Sequence, residues 1–300
     1  MNRAAAIALA SVLWAGTDST AQPAPARLEN SGAPLRIPSP CSEEDIRALS
    51  LTCPPEHPCA VFLELAGFEH VGRRLFLTGN LHTESATLAA ILLASEDEGA
   101  SWYEPVERIR SAALDQIEFF DLETGWVAGY FLHALPRDPF LLITGDGGRT
   151  WRRRPLWAES KIGLIEDFHF DSRQHGWLWV DRASPGEAGR YELYETMTGG
   201  ESWMLRQISD RPISRKAERA PKSQWRLRPD APSHSYLLER YAGKWEVVAS
   251  FLIPVGECRE PELAVPGPPE PPATERPAEP LAPETPPAPR KPPSLKRKPQ

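Results

Sequence analysis

The sequence predicts an all-β protein assembled from repeated hairpins. Three observations lead to this expectation. An eight-residue motif occurs three times, a short apolar run precedes every copy, and a second motif alternates with the first. Each repeating period is therefore expected to contain several short strands.

The first motif, here called the box, occupies residues 95–102, 144–151 and 196–203, with its tryptophans 49 and 52 residues apart. An acceptor side chain at its first and third positions can bind N–H groups of a turn. Glycine accepts the positive φ of a tight turn, and tryptophan anchors the returning strand. These are structural roles, predicted for Ser95, Asp97, Gly99, Trp102, Thr144, Asp146, Gly148, Trp151, Thr196, Thr198, Gly200 and Trp203. Thr198 stands where the other copies have aspartate, which weakens the third box.

The second motif runs from Phe120 to Trp126 and returns, one residue longer, from Phe170 to Trp177. Residues 72–79 occupy the corresponding place in an earlier period, which begins near residue 60. Residues 235–248 have the pattern of a fourth unit whose box has decayed. The chain is therefore expected to hold about four units.

Boxes at steps of about fifty residues, each preceded by an Asp-x-x-x-Gly-Trp element, resemble the Asp-box repeats of bacterial neuraminidases. The pattern is most similar to the photosystem II assembly factor-like group and covers roughly residues 58–256. The resemblance implies a β-propeller over residues 58–258, with about four or five four-stranded antiparallel blades. Propellers of that group usually have more blades, so completion of the ring by a second chain stays open, as does the oligomeric state.

The chain outside this body divides into three segments. Residues 1–21 have the basic start, apolar run and small residues of a secretory signal peptide, and no other run is long enough to span a bilayer. Residues 22–57 are expected to form a linker with one short helix at 42–49. Residues 259–300 contain many of the 33 prolines and are predicted to be a disordered tail with a basic end. The predicted location is secreted or periplasmic.

Export permits the four cysteines to pair. Cys53 and Cys59 could form half of a zinc site, but their spacing is wider than in zinc knuckles and no second pair follows. Disulfides are the favoured use, and three connectivities are possible. We favour Cys53–Cys59 with Cys41–Cys258, since Cys258 ends the last strand-like run.

Charge and residue spacing exclude several functions. The formal net charge is −7, and an acidic body disfavours nucleic acid as a partner. The seven histidines show no ligand spacing, so neither a metal nor a cofactor is predicted.

Three function classes follow from the resemblance. The expected one is a non-catalytic scaffold of the cell envelope that binds or assembles a protein partner. A sialidase-like glycoside hydrolase would need a Tyr–Glu pair and converging arginines. The candidates are Tyr191 with Glu192, Tyr194 with Glu195, and the run Arg152–Arg153–Arg154, whose side chains diverge along a strand. A carbohydrate-binding envelope protein is the third class, but most tryptophans hold repeat positions.

A binding surface is expected on the edge of the blades opposite to the boxes, because the connections there are free to vary. His82, Arg137 and Arg182 lie in these connections and are the predicted contact residues. No catalytic residue is predicted.

Overall fold

The computed structural model describes residues 26–182, 188–213 and 223–260. The predicted signal peptide and the predicted disordered tail from residue 261 onward lie outside these residues, whereas Glu260 hydrogen-bonds Cys53. One helix and eighteen strands are present among the described residues: β1 (Leu28–Glu29), α1 (Glu43–Ala48), β2 (Cys59–Val71), β3 (Arg74–His82), β4 (Thr87–Ser95), β5 (Ser101–Trp102), β6 (Ile109–Arg110), β7 (Ala112–Phe119), β8 (Gly125–Leu132), β9 (Pro136–Thr144), β10 (Arg152–Pro155), β11 (Leu164–Phe170), β12 (Gly176–Asp181), β13 (Tyr191–Thr196), β14 (Met204–Ser209), β15 (Trp225–Asp230), β16 (Ser235–Tyr241), β17 (Trp245–Leu252) and β18 (Pro254–Cys258). The all-β expectation is confirmed.

The strands form successive antiparallel sheets. The first blade has the order β18-β2-β3-β4-β6, the second β10-β9-β8-β7 and the third β11-β12-β13-β14. The fourth sheet contains only β15, β16 and β17, and β1 pairs with β5 in a two-stranded sheet. The main sheets therefore have five, four, four and three strands, and a uniform set of four-stranded blades does not describe them.

Three hydrophobic clusters stack these sheets face to face. One joins the fourth sheet to the first blade, with Phe251 and Leu238 against Leu63 and Trp102. A second joins the first and second blades, and a third joins the second and third. The stacking order is fourth sheet, first blade, second blade, third blade. Among the residues that the structure describes, none of these clusters joins the third blade to the fourth sheet.

The same contact recurs between consecutive blades. Phe76 at the start of β3 packs on the box glycine Gly148 of the second blade, where an added Cβ would come within 2.6 Å of its ring. Trp126 at the equivalent start of β8 packs on Gly200 of the third blade, and its Nε1 donates to the carbonyl of Gly199 at 2.9 Å. Both glycines have positive φ, which suits glycine best. The box therefore also forms part of the interface between blades.

The fourth sheet does not repeat the preceding blades. Trp225, where β15 begins, packs on Phe68 and His70 near the end of β2. Tyr236, paired with Pro229 near the end of β15, hydrogen-bonds the main chain of Leu65. Strand β15 thus runs opposite to β2, and the fourth sheet has three strands where the second and third blades have four.

Residues near the N-terminus belong to the folded body. Leu35 and Ile37 are buried, and the Leu35 main chain bonds Ser250 and Leu252 of β17. Helix α1 begins with a capping box in which Ser42 and Asp45 exchange hydrogen bonds. Leu35, Ile37, Ile46 and Leu51 therefore contribute to the packing of the first blade and fourth sheet from within the stretch predicted as a linker with one short helix.

Two disulfides tie the chain ends to the first blade. Cys41 pairs with Cys258 and Cys53 pairs with Cys59, with Cα–Cα distances of 5.1 and 5.2 Å. This is the connectivity that the sequence favours. Strand β18 pairs with the start of β2, so both ends of the body meet in one sheet. No helix in residues 26–182, 188–213 and 223–260 has the length and apolarity needed to cross a membrane.

Candidate functional site

The box residues form hairpin turns. In the first box, Ser95 Oγ accepts from the Gly99 N–H at 2.8 Å, and the Asp97 carboxylate accepts from the Ser101 N–H and hydroxyl at 2.8 and 2.7 Å. The Trp102 Nε1 donates to the Gly99 carbonyl. In this geometry the carboxylate holds the turn together.

The other two boxes repeat this geometry. Thr144 Oγ1 accepts from the Gly148 N–H, and Asp146 accepts from the Thr150 N–H and hydroxyl at 2.9 and 2.6 Å. In the third box Thr198 Oγ1 takes the carboxylate's place and accepts from the Ser202 N–H at 3.0 Å. The substitution keeps the turn but removes a charged acceptor.

Hydrogen bonds tune both box aspartates. Burial alone would raise the pKa of Asp97, but bonds from Ser101 and Ser95 outweigh it and hold the pKa below its usual range. The pKa of Asp146 is lowered in the same way: bonds from Thr150 and Thr144 outweigh the effect of burial. The hydrogen bonds that lower these two pKa values also stabilise the turns.

A cleft of about 760 Å³ lies between the first and second blades, at the edge opposite to the boxes. The turn from β3 to β4 and the end of β8 border it, and residues 48–50 after α1 close one side. Of the three predicted contact residues, only His82 lines this cleft, together with His133 from the neighbouring connection. Its lining includes three carboxylates and no lysine or arginine.

Glu84 lies in the turn from β3 to β4, and the other two carboxylates are Glu64 on β2 and Asp115 on β7. Each of these two has a polar partner one strand away: Asn80 donates to Glu64 at 2.9 Å, and Tyr130 hydrogen-bonds Asp115. Burial raises the pKa of Asp115, and the charge of Glu64 raises it further against the bond from Tyr130. The charge of Glu64 acts on Asp115 because both carboxylates line the same cleft.

A second cavity of about 390 Å³ shares Ala66 and Asp115 with this cleft and is lined by the first strands of all three blades. Its carboxylates are Glu69, Glu118 and Asp167. Burial raises the pKa of Glu69 to about 7, and the charge of Glu118 also raises it. Hydrogen bonds from the His70 and Phe119 N–H groups act in the opposite direction and lower it. The two cavities together form one acidic surface along β2, β7 and β11.

Glu69 and Glu118 also join the blades. They pair with Phe76 and Trp126, so they hold equivalent positions. Glu69 accepts from Phe119 of the second blade, and Glu118 accepts from Phe170 and from His169 of the third at 3.2 and 2.8 Å. The equivalent residue of the third blade is His169, so the series of carboxylates ends there.

The other predicted contact residues serve structural roles. Arg137 donates to Ser160 and pairs with Asp138, which fixes one loop of the second blade. Arg182 donates to the Ile162 carbonyl at 2.8 Å and to Glu192 at 3.0 Å, and its guanidinium lies 4.8 Å from the Trp157 ring centre. Neither residue lines the cleft.

The Tyr–Glu candidates resolve into one buried pair. Tyr194 donates its hydroxyl to Glu192 at 2.7 Å and accepts from Trp157 Nε1 at 3.0 Å. Burial, followed by the bond to Glu192, raises the pKa of Tyr194 to about 12. Tyr194 and Trp157 belong to the hydrophobic cluster that packs the second blade against the third. Arg152 and Arg154 both bind Glu201 on the surface. The expectation that the side chains of this run diverge is therefore wrong for these two, because residues two apart on a strand lie on the same face.

The carboxylates of this acidic surface were not predicted from the sequence, although the strands that carry them share one feature. Each of β2, β7 and β11 carries an irregularity in register after Leu65, Leu114 or Ile165. The extra residue is Ala66, Asp115 or Glu166, so a charged residue interrupts the apolar alternation in two of the three strands.

Within the described part of the chain, no group of three His, Cys, Asp or Glu residues could hold a metal ion.

Comparisons with known proteins give no family. No family model matches the chain, and no curated protein does. Solved structures that resemble it include YCF48 bound to a D1 peptide (19% identity, TM-score 0.35, 65% of this chain and 54% of that one). They also include a GH74 xyloglucanase from Xanthomonas campestris (18%, 0.32, 59% and 26%) and an α-L-arabinanase from Penicillium chrysogenum with arabinobiose (14%, 0.34, 74% and 66%). The chain thus spans about half of the YCF48 chain and a quarter of the xyloglucanase. Similarities of this size carry no argument about function.

Proposed function

We propose that this protein is an exported, non-catalytic scaffold of the cell envelope that binds a protein partner in the cleft between its first two blades. The observation that carries the proposal is the lining of that cleft. Glu64, Glu84 and Asp115 line it, and no lysine or arginine in the lining balances them. A cleft of this charge favours a basic or hydrogen-bond-donating segment of the partner.

Export is part of the proposal. It is supported by the signal-like sequence of residues 1–21 and by two disulfides, which persist in oxidising compartments. The β-sheets present the cleft on well-packed strands, which suits a protein that acts by binding.

A capture experiment tests this function. The purified protein is used as bait for envelope extract, with chemical crosslinking, and is compared with the double variant Glu64→Gln/Asp115→Asn. We expect the variant to lose most of the captured partner and the wild type to lose it as salt is raised. The control is Glu98→Gln/Glu96→Gln in the first box, on the opposite edge, which should capture normally. Equal capture by both double variants would place binding outside the cleft.

A second candidate is glycoside hydrolysis, because Glu64 and Asp115 line one cleft and burial raises the pKa of Asp115, as a general acid requires. Incubation with envelope polysaccharides and sialosides, followed by analysis of released sugars, separates the two functions. Hydrolysis that disappears in Asp115→Asn would favour the enzyme. Absence of products from every substrate would leave binding as the function.

A further inference from the structure

The outermost strand of the third blade is an apolar edge. Strand β14 pairs with β13 on one side. Among the described residues, no main-chain hydrogen bond joins its other side to another strand. Met204, Leu205 and Ile208 are 56%, 44% and 56% exposed. Such an edge offers unpaired N–H and C=O groups beside apolar side chains, which is the combination that invites another strand.

Other outer edges of the molecule are protected. Strand β10, which occupies the same place in the second blade, consists of three arginines and a proline. Strand β5 is covered by β1, and β17 is bonded by the main chain of Leu35. Charge, proline and covering segments are the usual means of preventing strand addition. Strand β14 has neither a proline nor a covering strand, and its one charged residue, Arg206, binds Glu195 of its own blade.

The strand is complementary to itself. Its register with β13 places Leu205 and Ile208 on one face of the sheet, with Tyr194 and Glu192, because the strand has an irregularity at Arg206. Antiparallel pairing about a two-fold axis between Arg206 and Gln207 would set Leu205 opposite Ile208 of a second chain. Each of the six residues of β14 would then lie opposite a residue of the second copy whose side chain is on the same face of the sheet.

Charges permit this register. Arg206, the one charged residue of β14, already binds Glu195 at 2.5 Å and would lie opposite Gln207. No like charges would face each other, and two Leu–Ile cross-strand pairs would form. Because the axis is two-fold, the same patch on each copy forms both Leu–Ile contacts, as in most homodimers.

We propose that β14 is a homodimerisation edge, at which two copies of this chain pair antiparallel and continue the third blade across a two-fold axis. The occupant is a second copy because the sequence of β14 matches itself in apolar pairs, faces and charge. The cleft between the first and second blades would stay open in each copy.

Sedimentation over a wide concentration range tests the proposal. We expect the purified wild-type protein to dimerise reversibly, and Ile208→Lys to raise the dimer dissociation constant about tenfold or more. Val247→Lys is the matched control, because Val247 is 55% exposed on β17. Circular dichroism establishes that both variants are folded. A wild type that stays monomeric at every concentration, or a dimer that both variants weaken equally, would overturn the proposal.

The register is tested separately. Leu205→Cys and Ile208→Cys proteins, mixed under oxidising conditions, should form a disulfide-linked heterodimer several times faster than either variant alone. A mixture of Met204→Cys and Ile208→Cys should not, since these residues lie on opposite faces of the sheet. Equal crosslinking of all mixtures would reject the antiparallel pairing. A wild type that is monomeric yet binds an extended peptide at β14 would assign the edge to another protein instead.

Discussion

One carboxylate secures most of the hydrogen bonds in the second box. Asp146 accepts from the Thr144 hydroxyl, from the N–H groups of Arg149 and Thr150, and from the Thr150 hydroxyl. Asp146→Ala should therefore lower the free energy of unfolding by about 1–2 kcal/mol. Denaturant unfolding measures the change. The control is Thr198→Ala in the third box, where only a hydroxyl is lost, and an equal cost for both would show that the carboxylate adds nothing.

Glu69 should make the protein less stable as pH rises through neutrality. Its folded pKa of about 7 lies above the ordinary value of 4.5, because burial disfavours the charged form. The folded state therefore binds more protons than the unfolded state between these values. Its contribution to stability is complete below about pH 4.5 and is lost as pH rises through about 7.

Glu69→Gln should remove this dependence and stabilise the protein at pH 8 by on the order of 1 kcal/mol. Unfolding curves at pH 4.5, 6, 7 and 8 provide the measurement. Glu246→Gln, on the exposed surface of β17, is the control and should leave the dependence unchanged. A wild-type stability that is flat between pH 4.5 and 8 would contradict the assignment.

Local chemistry and long-range contacts differ in how far the sequence predicts them. The roles of Ser95, Asp97 and Gly99 follow from turn chemistry within eight residues, and their hydrogen bonds have the form that this chemistry dictates. The grouping of Glu64 with Asp115 depends on which strands become neighbours. No local pattern carries that information, so the acidic cleft became visible only in the structure.

At the scale of elements, the interface between blades depends on one aromatic residue per blade. Trp126 is fully buried, stacks on Phe170 with ring centres 3.5 Å apart, and donates to the box of the third blade. Trp126→Ala should lower the free energy of unfolding by about 3–5 kcal/mol.

Trp177 is the matched control, because it begins β12 as Trp126 begins β8 but is only partly buried. Trp177→Ala should cost clearly less. Thermal and denaturant unfolding of both variants decide the point. If the two substitutions cost the same, the packing of one blade on the next does not depend on this tryptophan position.

The repeating elements were predictable because each carries its own signal. The three boxes mark the ends of β4, β9 and β13, and their spacing sets the period. The fourth sheet has strand-like runs but no box, so its sequence indicates strands without fixing their direction. Packing of Trp225 on Phe68 and His70 accompanies the reversed direction of β15, and this contact spans most of the chain.

At the scale of the whole molecule, the first and last strands of the described residues, β1 and β18, complete the first blade. Strand β18 extends its sheet beside β2, and β1 covers β5. The sequence hinted at this arrangement only through Cys41 and Cys258, whose pairing requires the two ends to meet. Burial of Leu35 and Ile37 had no such signal, because a short apolar segment among prolines is also typical of a linker.

The two disulfides should contribute unequally to stability. Cys41–Cys258 closes a loop of 217 residues, whereas Cys53–Cys59 closes one of 6. Crosslinking restricts the unfolded chain more when the loop is longer, so the model of loop entropy gives about 5 kcal/mol for the first and about 2 kcal/mol for the second. Cys41→Ser/Cys258→Ser should thus lower the midpoint of denaturant unfolding much more than Cys53→Ser/Cys59→Ser. The first variant should also show a steeper dependence on denaturant, because its unfolded chain exposes more surface. Equal midpoints for the two double variants would contradict this account, because the difference in loop length alone predicts unequal losses.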